Sequence, residues 1–251
     1  MKKALVIFKS GDNLDLIIES CLSLKKEFGF EITPVYALNV NPFINNSEDE
    51  ANLLEDFSEL QDDFLDKTKK KLIEHKLNAH LLTVVQITTE NLKNLLRLND
   101  VLLYQEGLFL GDLFLEILKT IYRPIIVLRG KALSFENISV VSDDGIKVNK
   151  SVYNFLSLFS STDLDKIDVF TWNYTKGEHT LLELIHNKGV LPNLRGFSSP
   201  LDDIEDFYFE LNKSSLLIMG NLSHSFFLEK ITNRMGLNLS LIHISEPTRP
   251  Y

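Results

Sequence analysis

Short apolar runs and helical apolar stripes take turns along the chain. Lys3–Phe8 (KALVIF), Phe30–Leu38 (FEITPVYAL), His80–Val85 (HLLTVV), Asp100–Tyr104 (DVLLY) and Pro124–Leu128 (PIIVL) read as strands. Continuous apolar runs of this length fit strands covered on both faces. Between the first two, Leu14, Ile17, Ile18, Cys21, Leu22, Lys25 and Phe28 keep helical spacing, with Lys25 the one polar member. Ser47 and Glu50 form a capping-box pattern ahead of a long helix with Leu53, Phe57, Leu60 and Phe64 on one face. Thr88–Leu98 predicts a short helix, and Leu110, Leu113, Phe114, Ile117, Leu118 and Ile121 mark another. Strands alternating with helices argue for a parallel sheet with helices on both faces.

The pattern then starts again. Asn137–Ser142 predicts a strand, and Val148, Val152, Phe155, Leu156 and Phe159 a helical face. Lys166–Trp172 is a strand, a helix lies around Glu178–Asn187, and VLPNLRG is a weak third strand. Ser199-Pro200 opens a helix, with a good cap residue followed by proline at the first helical position. Ser214–Met219 is the fourth strand and SFFLEKITNRM a fourth helix. At an offset of 113 residues, Leu98–Leu118 and Leu211–Ile231 share seven identities in 21 positions, Gly107/Gly220 and Phe114/Phe227 among them. Ordinary composition gives about one or two. The repeat is therefore a whole domain. The expected organisation is residues 1–132, residues 133–238 and a tail, residues 239–251.

The bulk numbers narrow the partners. The chain has 251 residues, a formal net charge of −9 and one cysteine, Cys21. The charge disfavours nonspecific nucleic-acid binding, which needs a basic surface. The basic run Lys67–Lys71 falls late in a predicted helix, where cations complement the helix dipole. No apolar run approaches the ~20 residues that span a bilayer, and the N-terminal apolar run is too short for a signal peptide. A cytoplasmic location without membrane contact is expected. One cysteine provides no disulfide framework, and its place on a core helix face leaves no nucleophile.

A tandem five-stranded unit with a glycine after its fourth strand resembles the universal stress protein family. The residues that carry the resemblance are Leu217–Thr232 (LIMGNLSHSFFLEKIT), Tyr122–Leu128 (YRPIIVL) and Ile138–Gly145 (ISVVSDDG). It implies an α/β fold of two tandem five-stranded parallel open sheets, strand order 3-2-1-4-5, with helices on both faces. This is the Rossmann-like plan of the adenine-nucleotide hydrolases. In nucleotide-binding members, glycines after the fourth strand let backbone N–H groups approach phosphate at a helix N-terminus. In that pattern Gly220 matches the first glycine, while Ser223 replaces the second and Asn233 the third. In the first half Gly107 is followed by Leu110, and Asp112 would repel phosphate.

Candidate cofactor-binding residues are therefore confined to the second half: Asp143, Asp144, Gly220, Asn221, Ser223, His224 and Ser225. Each has a plainer reading. Asp-Asp-Gly is good turn chemistry, and Asn and Ser after a strand are ordinary helix caps, the favoured reading for that loop. No cofactor is expected, with ATP or AMP the alternative in the second half. The implied function is regulatory and non-enzymatic, through protein partners or through a homodimer or intramolecular pseudo-dimer. A receiver domain is disfavoured because no aspartate ends the third strand. His179, Glu183 and His186 share a helix face, but a solvated face is the commoner meaning. Trp172 and Tyr174 at a strand end read as packing rather than base stacking.

The tail poses a separate question. Leu239–Arg249 (LSLIHISEPTR) resembles the in-frame translation of a sequencing adapter. The counterpart of PIIVL should begin near Leu237, so the second domain is expected to lack its own fifth strand. The tail is expected to fill that slot beside Ser214–Met219 and to add little stability, because an unpaired edge accepts any β-compatible segment.

Overall fold

A computed structural model describes residues 1–38, 48–84, 87–105, 121, 123–142, 146–160, 164–172, 180–197, 204–219 and 240–243. The chain divides into two compact units, Met1–Phe109 and Leu110–Tyr251. Both are α/β, with parallel strands flanked by helices.

The first unit contains β1 (Lys3–Lys9), α1 (Leu14–Phe28), β2 (Glu31–Ala37), α2 (Glu48–Glu74), β3 (Leu82–Val84), α3 (Thr89–Leu96) and β4 (Val101–Gln105). The strands run parallel in the order β3-β2-β1-β4. Central β1 buries Ala4 through Phe8 without alternation, as a strand covered on both faces must. Helix α1 forms where the apolar stripe predicts it. Asn13 caps its start, accepting the Leu16 N–H at 3.2 Å, and Gly29 ends it at φ 69°. Leu16, Ile17, Cys21 and Leu24 are its buried face. The run His80–Val85 pairs over only three residues, and a short strand suits an edge. Ser47 of the predicted capping box lies outside the described residues.

The second unit contains β5 (Ile125–Leu128), β6 (Ile138–Ser142), α4 (Ile146–Leu158), β7 (Lys166–Trp172), α5 (Thr180–Asn187), β8 (Leu191–Phe197), α6 (Ile204–Leu211), β9 (Leu216–Met219) and β10 (Ser240–His243). Strands β9-β6-β7-β8 are parallel neighbours and repeat the 4-1-2-3 order of the first unit. The second repeat thus supplies four strands to its sheet, not the five that the resemblance implies. The sequence near Leu237 holds no run like PIIVL to build a fifth. The place beside β9 is taken by four residues of the tail. β10 runs parallel to β9, with Ser240 opposite Leu216 and His243 opposite Met219. Its other flank pairs antiparallel with β5, Leu241 opposite Val127. β5, the last strand of the first repeat by sequence, is grouped in this unit.

The core of the second unit is strongly aromatic. Phe207 meets Phe170 and Phe197 edge-on, with centroids 6.0 and 5.2 Å apart. Phe155 and Phe159 stack at 5.1 Å. The Ser139 and Ser214 hydroxyls, both buried, pair at 2.6 Å across β6 and the entry to β9. The third strand reads weakly because β8 lies at the sheet edge, with Leu191 and Leu194 exposed. The Leu191 N–H points inward to the Asp165 carbonyl, so the next residue, Pro192, turns its backbone outward. Proline there removes a donor from the open edge.

Candidate functional site

Open α/β sheets bind ligands outside the carboxyl ends of their strands, where the strand order reverses. In the first unit the connection from β1 leads to β2 on one side, while β4 flanks β1 on the other. The reversal therefore lies between β1 and β4. At that point the chain after β1 folds back on itself. Gly11, at φ 87°, lets Asp12 return to the strand end. One Asp12 carboxylate oxygen accepts the Lys9 backbone N–H at 3.0 Å, and the other accepts the Lys9 ammonium at 2.7 Å. The Asp12 N–H donates to the Lys9 carbonyl at 3.1 Å. The ion pair is largely buried, with side-chain exposures of 12% for Lys9 and 2% for Asp12. Across the crevice the Asn13 N–H donates to the Gln105 side-chain carbonyl, at the end of β4, at 2.7 Å.

Electrostatics follow from this burial. Desolvation pushes the Asp12 carboxyl above its ordinary value, and the Lys9 ammonium only partly opposes it. Burial likewise holds the Tyr36 phenol up at about 12, helped by the nearby charges of Asp62 and Asp12. Its hydroxyl donates to the Gln61 carbonyl at 3.1 Å. Tyr36 is thus a buried neutral hydrogen-bond donor with no acid–base role at ordinary pH.

The carboxyl edge of the second unit is built differently. Ser142, Thr171 and Gly196 stand in register across β6, β7 and β8. Thr171 is 4% exposed, and its hydroxyl oxygen has no hydrogen-bond partner among the described residues. A Cβ on Gly196 would stand 3.7 Å from that oxygen, an ordinary van der Waals contact. Sequence reasoning did not single out Gln105, Thr171 or Gly196. Strand-end position combined with small or polar character was the only available signal. Asp143, Asp144, Gly220, Asn221, Ser223, His224 and Ser225 lie outside the described residues, as do Gly107, Leu110 and Asp112.

Other candidates resolve more simply. Cys21 is fully buried on α1 and burial pushes its thiol up to about 12, as its core position predicts. Among the described residues no group of three metal-ligating side chains converges, and Glu183 and His186 are exposed on α5. His179 and Tyr174 lie outside the described residues. In the basic run Lys67 pairs with Asp63, Lys69 with Asp66 and Lys71 with Asp15, which is the solvated helix end expected. No helix among the described residues is long and apolar enough to cross a membrane.

Neither a protein-family model nor any curated protein matches the sequence. The fold does have solved counterparts. A universal stress protein from Archaeoglobus fulgidus DSM 4304 superposes with a TM-score of 0.64 at 11% identity, covering 99% of this chain and 97% of that one. The fold is that of the universal stress proteins. A putative universal stress protein from Pseudomonas aeruginosa UCBPP-PA14 gives 0.52 at 9% identity over 98% and 93% of the two chains. A functionally unknown protein from Pseudomonas aeruginosa PAO1 gives 0.56 at 9% identity over 98% and 92%. The universal-stress fold thus extends over nearly the full length. At such identity the likeness concerns the fold and carries no residue roles.

Proposed function

We propose that this chain is a universal-stress-type regulatory protein, cytoplasmic and non-enzymatic, whose nucleotide sites are degenerate. It works through protein partners rather than through turnover. The observation that carries the reading is the carboxyl edge of the first unit. There a buried ion pair and a side-chain bond to β4 fill the place where this fold type takes a ligand. The sequence after β4 supports it, because Leu110 and Asp112 suit phosphate poorly. The domains are read as residues 1–132 and 133–238. The stretch Leu239–Arg249 is read as foreign to the fold on its adapter likeness, and sequencing the gene through this stretch tests that. Equilibrium dialysis with labelled ATP and AMP tests the main reading. No saturable binding and no nucleotide turnover are expected, and micromolar binding with hydrolysis sinks it.

A second reading has an observation of its own. The partnerless Thr171 hydroxyl beside Gly196 supports a nucleotide-sensing second unit, with Asp143, Asp144 and the loop Gly220–Ser225 completing the site. On this reading one equivalent of ATP or AMP binds, and Thr171→Val weakens it. Binding that is indifferent to Thr171→Val removes the support.

A further inference from the structure

The two carboxyl edges can be compared position by position. Val6 pairs with Leu103 in the first unit as Ile138 pairs with Leu216 in the second. Counting along the strands from these pairs, Asp12 corresponds to Asp144. Lys9 corresponds to Val141 and Gln105 to Ile218. Both repeats therefore carry an acid just past the first strand. Only the first has a lysine at the strand end to hold it, and only the first has a glutamine on the fourth strand to bond the following loop.

We propose that Lys9, Asp12 and Gln105 form a built-in plug that closes the β1–β4 crevice of the first unit, and that this plug keeps a nucleoside out of that crevice. The inference rests on the reading that the crevices are degenerate nucleotide sites, and it adds the residues that shut one of them. The ion pair withdraws the Asp12 carboxylate from solution, where a ligand's hydroxyls or amines would seek it. Asp12 spends one oxygen on a backbone N–H and the other on the ammonium, so neither is left to point outward as a strong acceptor. The Gln105 carbonyl fastens the Asn13 N–H over the gap. That bond also fixes the start of α1, whose cap is the same Asn13. A ligand entering between β1 and β4 must displace both contacts at once. The second repeat has no residue at the matching strand positions able to make either.

The test uses the full chain and gives the first unit the residues of the second, Lys9→Val with Gln105→Ile. Gln105→Ala alone serves as a milder variant, since that side chain is not part of the core. Amide exchange at Asp12 and Asn13 reads the plug directly, and calorimetric titration with adenosine and with ATP reads entry. Exchange at Asn13 is expected to speed up roughly tenfold or more in both variants, as local opening becomes easier. The double variant is expected to gain one adenosine site that the wild-type chain lacks. Unchanged exchange in both variants overturns the plug. Faster exchange with no gained adenosine site overturns its role as gatekeeper. Failure of the underlying reading shows separately, as ATP binding or turnover by the wild-type chain.

Discussion

The first unit closes the carboxyl edge of its sheet with charge, and the second sets a row of small and hydroxyl residues just before the Trp172 and Phe197 strand ends. In one, Lys9 and Asp12 pair out of water and Gln105 bonds across the gap. In the other, Ser142, Thr171 and Gly196 stand in a row with one hydroxyl unpartnered. The strand plan is shared, so the difference lies in a few strand-end residues. Both units keep what the core needs, apolar β1 and β6, while the strand-end residues differ. A common fold therefore says little about whether either half holds a ligand.

The halves also differ in how the sheet is completed, and removing β10 gives the largest expected effect. β10 is backbone-paired on both flanks, to β9 and to β5. The sequence alone suggested a loosely held filler, but two-sided pairing raises the expected loss. Cutting the chain after Asn238 leaves two strands whose residues are all buried, β9 and β5, with open edges. At about 1 kcal/mol per net backbone bond, the loss should be on the order of 5 kcal/mol. Urea unfolding of the truncated chain measures it. A change too small to detect would return the tail to the status of filler.

Next in size is the plug. Lys9→Met strands a carboxylate that is 2% exposed in the wild type. Removing one partner of a buried pair costs about 3–5 kcal/mol. The pH dependence sharpens this. The folded Asp12 carboxyl titrates above its ordinary value, so the folded chain binds that proton more tightly than the unfolded one. Its contribution to stability is greatest below the ordinary carboxylate pKa and is lost as pH rises through the folded value. Without Lys9 the folded value rises further. The variant should then lose stability over a wider and higher pH window than wild type, while Lys9→Met with Asp12→Asn should show neither slope. Parallel stability–pH curves for wild type and Lys9→Met would show that the two groups do not interact.

These effects separate what the sequence could convey from what it could not. Strands buried on both faces were legible, because β1, β4, β5 and β9 are short apolar runs that nothing else explains. Helix α1 was legible from its stripe, while its Asn13 and Gly29 ends emerged with the structure. The strand order followed from the family resemblance, and the weak third strand of the second repeat proved to be an edge carrying Pro192. The plug was hidden. The Lys9–Asp12 pair needs the turn at Gly11, and Gln105 reaches Asn13 across 92 positions of sequence. Nothing in the sequence pattern tied Asp12 to Lys9 or Gln105 to Asn13. Thr171 was hidden too, since a threonine in a strand is ordinary until its hydroxyl is found without a partner.

Thr171→Val asks whether that hydroxyl costs the fold anything. An unsatisfied buried polar group is unfavourable by about 1–3 kcal/mol, and valine keeps the shape. The variant should be more stable than wild type by about 1 kcal/mol, seen as a raised Tm. A destabilised variant means that the hydroxyl has a structural partner, and the contrast between the two edges then weakens.

The smallest effect is expected at Gly196, and its smallness is what makes it informative. Gly196 is in β8, next to Thr171 in register, and no left-handed backbone requires a glycine there. An added Cβ meets the Thr171 hydroxyl oxygen at 3.7 Å, an ordinary contact. On stability alone alanine should do as well or slightly better, since glycine within a strand carries an entropic cost. Gly196→Ala should therefore change the unfolding free energy by less than about 0.5 kcal/mol, as surface substitutions usually do. A role for the glycine would then lie in ligand binding beside Thr171. ATP or AMP titration of Gly196→Ala beside wild type reads that directly. Weaker binding with unchanged stability places a ligand beside Gly196 and makes the second edge an open site. Unchanged binding leaves the edge as inert as the plugged one, and the two halves then differ in construction but not in use.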